Sequence, residues 1–98
     1  MAKIKDYLSE AEILAQLAEE ASELAQAALK LRRVLDGTNP TPVSGEQAVA
    51  NLVEEYGDVV CCMMELEVIY DPSLINKKKE RWIKRLSAKR MEENHDNN

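Results

Sequence analysis

The sequence predicts an all-α chain of two long antiparallel helices followed by a C-terminal helix. Apolar residues recur at three- and four-residue spacings in three separate segments, and nothing alternates with period two over a useful length. The one long connection, Gly37 to Val43, carries a glycine and two prolines, which suits a loop between helices and leaves β structure with little support.

The first helix is expected from about Ser9 to Leu35. Leu14, Leu17, Ala18, Ala21, Leu24, Ala25, Ala28, Leu31 and Leu35 form a broad apolar arc, and Ser9 followed by Glu12 resembles a capping box. Gly37 ends this helix, and Pro40 and Pro42 deny backbone donors beyond it. The second helix starts near Ser44, where Gln47 is placed to complete another capping box. It continues through Val49, Leu52, Tyr56, Val59 and Met63 to about Tyr70. Asp71-Pro72 then supplies an N-cap and a first-turn proline for a third helix, with Ile75, Trp82 and Leu86 on one side. Residues 1–93 are expected to form one helical domain, with a disordered tail over 94–98.

Composition narrows the function. A chain of 98 residues with 45% hydrophobic and 32% charged side chains is ordinary for one folded domain with a modest core. A formal charge of −5 argues against a broad nucleic-acid footprint, which needs a surplus of Lys and Arg. No stretch approaches the roughly 20 apolar residues that span a bilayer, and MAKIKDYLSE lacks the apolar core of a signal peptide, so no membrane partner and a cytoplasmic location are expected. The adjacent Cys61 and Cys62 cannot staple distant segments and are expected as small core residues. With a single histidine, His95, neither a Cys/His zinc site nor a catalytic triad can be assembled.

Carboxylates are the remaining candidates for chemistry. Glu20 and Glu23 lie three apart on the first helix, Glu55 and Asp58 three apart on the second, so each pair shares a helical face. Glu20 and Glu55 fall near the edge of their apolar stripes, with Glu23 and Asp58 roughly 60° farther round. Antiparallel packing through those stripes would converge four carboxylates into a partly buried pocket whose repulsion demands a counterion. All-oxygen ligation suits Mg²⁺ or Mn²⁺, and the absence of Glu-x-x-His pairs argues against iron. Either acidic pair alone is more often a solvated face.

The segments Glu19-Glu20-Ala21-Ser22-Glu23-Leu24 and Glu54-Glu55-Tyr56-Gly57-Asp58 resemble the EExxEL and EExxD motifs of the MazG-like all-α nucleoside triphosphate pyrophosphohydrolases. The resemblance spans about residues 10 to 86, and the interval between Glu23 and Glu55 is slightly longer than is usual in that family. It implies Mg²⁺-dependent cleavage between the α- and β-phosphates of a nucleoside triphosphate, giving a nucleoside monophosphate and pyrophosphate. Glu20, Glu23, Glu55 and Asp58 then become metal ligands. Glu19, ahead of Glu54, becomes the group that orients or deprotonates the attacking water.

Lys78, Arg81 and Arg85 share a face at i, i+3 and i+7 and match the basic C-terminal helix of the family, where such a row can hold the triphosphate tail. Many basic residues between Lys77 and Arg90 will simply solubilise the helix. Trp82 is expected in the core rather than against a base. The broad apolar arcs of the first two helices exceed what a two-helix seam buries, so a homodimer or homotetramer completing a four-helix bundle is expected, as the family also implies. The rival reading is a non-enzymatic helical dimerisation or adaptor module, whose acidic pairs only keep its surface soluble.

Overall fold

A computed structural model describes residues 1–38 and 43–96, with only the backbone described for His95 and Asp96. Among the described residues there are three α-helices and no strand: α1 over Glu10–Asp36, α2 over Gly45–Glu65 and α3 over Pro72–Asp96. A short 3-10 turn over Ile4–Asp6 precedes them. The all-α class read from periodicity is therefore what the chain adopts. No helix among the described residues is long and apolar enough to cross a membrane.

Local chemistry explains the helix ends. Ser9 caps α1, its hydroxyl accepting from the Glu12 amide at 3.1 Å while the Glu12 carboxylate accepts from the Ser9 amide at 3.1 Å. These contacts hold the Glu12 carboxyl below its usual range. Gly37 closes α1 at φ 66°, a left-handed conformation that costs glycine nothing, and its amide donates to the Arg33 carbonyl. Ser44 caps α2 by accepting from the Gln47 amide at 3.1 Å. Gln47 does not reach back; its side-chain amide donates instead to Asn51 Oδ1, one turn on, at 3.0 Å. Asp71 caps α3 as expected, its carboxylate accepting from the Leu74 amide at 3.1 Å.

Two boundaries differ from the sequence expectation. α2 stops at Glu65, five residues before Tyr70, because the chain closes there in a Schellman arrangement. The Val68 amide donates to the Met63 carbonyl and the Glu67 amide to the Met64 carbonyl. The left-handed position is taken by Glu67 at φ 58° rather than by a glycine, so nothing in composition announces the stop. α3 continues through Asp96, into the segment expected to fray from Asn94. Asn97 and Asn98, the rest of that tail, lie outside the described residues, as do Pro40 and Pro42 of the expected loop.

The chain divides into two compact units, Met1–Val68 and Ile69–Asn98. In the first, α1 and α2 form an antiparallel hairpin. Gly45 at the start of α2 lies against Val34 near the end of α1. At the other end the Lys5 amide donates to Glu65 Oε1 at 2.8 Å and the Lys5 ammonium approaches Glu67 at 3.4 Å. Ile13, Leu17, Glu20, Leu24, Ala27, Leu31 and Val34 of α1 face Gly45, Ala48, Leu52, Glu55, Val59 and Cys62 of α2, all buried or half-buried. Both rows run at alternating spacings of three and four, the geometry of a coiled-coil seam. Its best-buried members are Ile13, Ala48 and Cys62. Of the two cysteines expected in the core, only Cys62 is buried; Cys61 is exposed. In the second unit every α3 side chain described is exposed, including Trp82 at 65%, so this unit taken by itself gives Trp82 no core position.

Candidate metal centre

The apolar seam is interrupted on each helix by one charged residue, Glu20 on α1 and Glu55 on α2, and antiparallel packing sets the two in the middle of the hairpin. They occupy the seam itself rather than the edge of the stripe. The reason is the run of alanines in α1, which widens its apolar arc without marking which line of it faces α2. Glu23, one turn on from Glu20, joins them, and one carboxylate oxygen from each of the three lies within 4.8 Å of the others.

The electrostatics of this arrangement are unfavourable as it stands. Glu20 Oε1 accepts from the Gln16 side-chain amide at 2.7 Å, but Glu20 Oε2 and Glu55 Oε2 are buried with no hydrogen-bond partner. A buried carboxylate oxygen with no donor loses its hydration without replacement. The charge of Glu20 is the largest influence on Glu23 and, with some burial, holds its carboxyl above the usual range; Glu55 adds to this in the same direction. No basic side chain forms an ion pair with the three among the described residues, where the pairs are Lys5–Glu67 and Arg32–Asp36. The donor set is all oxygen, anionic and convergent, with two oxygens lacking any partner. These residues fit a hard divalent cation such as Mg²⁺ or Mn²⁺.

Three of the four expected ligands are thus brought together. Asp58 is exposed, a turn beyond Glu55, and is not one of the converging group. Glu19 and Glu54, beside Glu20 and Glu55, are exposed. Lys78, Arg81 and Arg85 line a shallow depression of about 280 Å³ on α3 together with Trp82, all four exposed, in the second unit of the chain.

The hairpin adds residues that sequence reasoning missed. A groove of about 640 Å³ runs from Glu23 and Glu55 past Gln26 and Asn51 to Lys30 and Arg33. The signal was available: Lys30 and Arg33 follow Glu23 at i+7 and i+10, and Asn51 precedes Glu55 by four, so each lies on the face of a motif carboxylate. Comparison with family models, with curated proteins and with solved structures gives no match.

Proposed function

We propose that this chain is a Mg²⁺-dependent nucleoside triphosphate pyrophosphohydrolase, cleaving the α–β phosphate bond to give a nucleoside monophosphate and pyrophosphate. The observation that carries this reading is the meeting of Glu20, Glu23 and Glu55, drawn from the two MazG-like segments, with one oxygen each of Glu20 and Glu55 buried and without a partner. Glu20, Glu23 and Glu55 hold the cation, and Asp58 is the fourth ligand of the same reading. A cation held there would polarise phosphoryl oxygens and lower the pKa of a bound water. Glu19 accepts the proton of the attacking water, whose oxygen bonds to the α-phosphorus as the bond from that phosphorus to the bridging oxygen breaks and pyrophosphate leaves. Lys78, Arg81 and Arg85 are proposed as additional contacts to the triphosphate, through charge-assisted hydrogen bonds.

The test is pyrophosphate release from a panel of ribo- and deoxyribonucleoside triphosphates with Mg²⁺, with Mn²⁺ and with excess chelator. Metal-dependent release is expected. The metal should also raise the melting temperature of the protein alone, since binding at 100 times Kd stabilises a fold by about 2.7 kcal/mol. No release from any nucleotide, with no thermal response to Mg²⁺, moves the reading to a non-enzymatic dimerisation or adaptor module.

A homodimer or homotetramer belongs to the same proposal. On α2, Val49, Val53, Tyr56 and Met64 form a second apolar line that the α1–α2 seam leaves exposed. Burying such a line against a second copy would complete a four-helix bundle and enlarge a core whose best-buried members are three side chains. Sedimentation equilibrium should give a mass of two or four times 11.1 kDa; a monomer at micromolar concentration contradicts this part.

A further inference from the structure

We infer that Lys30 and Arg33 of α1, with Asn51 of α2, form an oligophosphate subsite in the hairpin groove, engaging the phosphate chain of a ligand whose metal is held by Glu20, Glu23 and Glu55. This rests on the metal-centre reading above and adds to it the residues that bind the anion.

Of the five basic residues before Val68, Lys3, Lys5 and Arg32 are exposed, whereas Lys30 and Arg33 are half-buried. The exposed Lys5 and Arg32 have acidic partners, Glu67 at 3.4 Å and Asp36 at 3.6 Å. Lys30 and Arg33 have no ion-pair partner among the described residues, although they are the two that burial partly strips of water. Arg33 feels the Asp36 carboxylate only at longer range, and two half-buried cations on one wall of a groove, neither in a direct ion pair among the described residues, point to an anion.

The groove fixes what kind of anion. Its other end is Glu23 and Glu55, which repel a free carboxylate or phosphate but accept one that arrives with a divalent cation. Lys30 stands about 10 Å along α1 from Glu23 by helical rise, and helical side chains lean toward the N-terminus, a bias that favours both cations reaching back along the groove they share with the carboxylates. The remaining gap suits a short chain of phosphoryl groups. Asn51, half-buried, lines the groove beside them, and its Oδ1 already accepts from Gln47 at 3.0 Å. What Asn51 has left to offer is its NH₂, a donor suited to phosphate oxygen. Arg33 brings a planar fork that can take two phosphate oxygens, and Lys30 a compact charge.

The experiment is calorimetric titration of inorganic tripolyphosphate into the full chain with saturating Mg²⁺, comparing the natural protein with Lys30→Gln, Arg33→Gln and Arg32→Gln. Affinity should fall at least about tenfold in each of the first two and stay unchanged in Arg32→Gln, the loss expected when a charged hydrogen bond is removed. Mg²⁺ binding measured without phosphate should be the same in all four, which separates an anion subsite from damage to the metal centre or the fold. Tripolyphosphate affinity in Lys30→Gln or Arg33→Gln equal to that of the natural protein, or no binding by the natural protein, overturns the subsite. Binding that depends on both cations in a protein that hydrolyses no nucleotide keeps the subsite and defeats the hydrolase reading alone.

Discussion

A Glu55→Gln protein is expected to lose pyrophosphate release by roughly 100-fold or more, the scale on which one well-placed electrostatic group in a water-poor site acts. The substitution keeps the shape of the side chain and its place in the α1–α2 seam, so the helical content should not change. It removes one of three converging carboxylates, and the partnerless Glu55 Oε2 becomes part of an amide. Two readouts therefore move in opposite directions. Mg²⁺ should no longer raise the melting temperature, while the metal-free protein should melt no lower than the natural one, because repulsion with Glu20 and Glu23 is relieved. Full activity in Glu55→Gln would remove this residue from the proposed metal centre. A variant that loses activity and also unfolds would be read through the conservative Glu55→Asp, which keeps the charge.

The second large effect is structural. Ile13→Ala should cost about 2–5 kcal/mol, the usual range for emptying a fully buried aliphatic site. Ile13 is 2% exposed and is the largest side chain in the hairpin to be fully enclosed. Its fellow buried residues among those described, Ala48 and Cys62, are both smaller, so Ile13 is the largest side chain in that set. It also lies in the first turn of α1, close to the end of the hairpin that is tied by the Lys5 amide to Glu65. A loss of this size is a large share of the 5–15 kcal/mol that holds a typical domain together. Urea denaturation should show a clear drop in midpoint, and Ile13→Val, which removes a single methyl, should cost only about 0.5–1.5 kcal/mol. A midpoint for Ile13→Ala equal to that of the natural protein would show that another contact carries this end of the hairpin.

The sequence by itself determined the elements. Helical periodicity, the Ser9–Glu12 capping box, Gly37, and the Asp71-Pro72 pair are local signals, and each acts within a turn of itself, so α1, the start of α2 and the start of α3 were legible without any tertiary knowledge. The pairing of Glu20 with Glu23 was legible for the same reason. Where the local signal was missing, reading failed. α2 ends at a left-handed Glu67, a residue with no intrinsic preference for that conformation, so the Schellman bonds that close the helix at Glu65 leave no mark in composition.

Only tertiary structure decided the rest. Which line of a broad apolar arc becomes the seam depends on the facing helix, and that choice moved Glu20 and Glu55 from the expected edge into the half-buried seam and left one oxygen of each without a hydrogen-bond partner. It also separated Glu23, which converges with them, from Asp58, which does not, although both stand three residues beyond a seam glutamate. Lys30, Arg33 and Asn51 acquired meaning the same way: each sits on the face of a motif carboxylate, but only the antiparallel pairing of α1 with α2 turns those faces into one groove. Helix formation is settled by neighbours along the chain, whereas the convergence of charges is settled by neighbours across it.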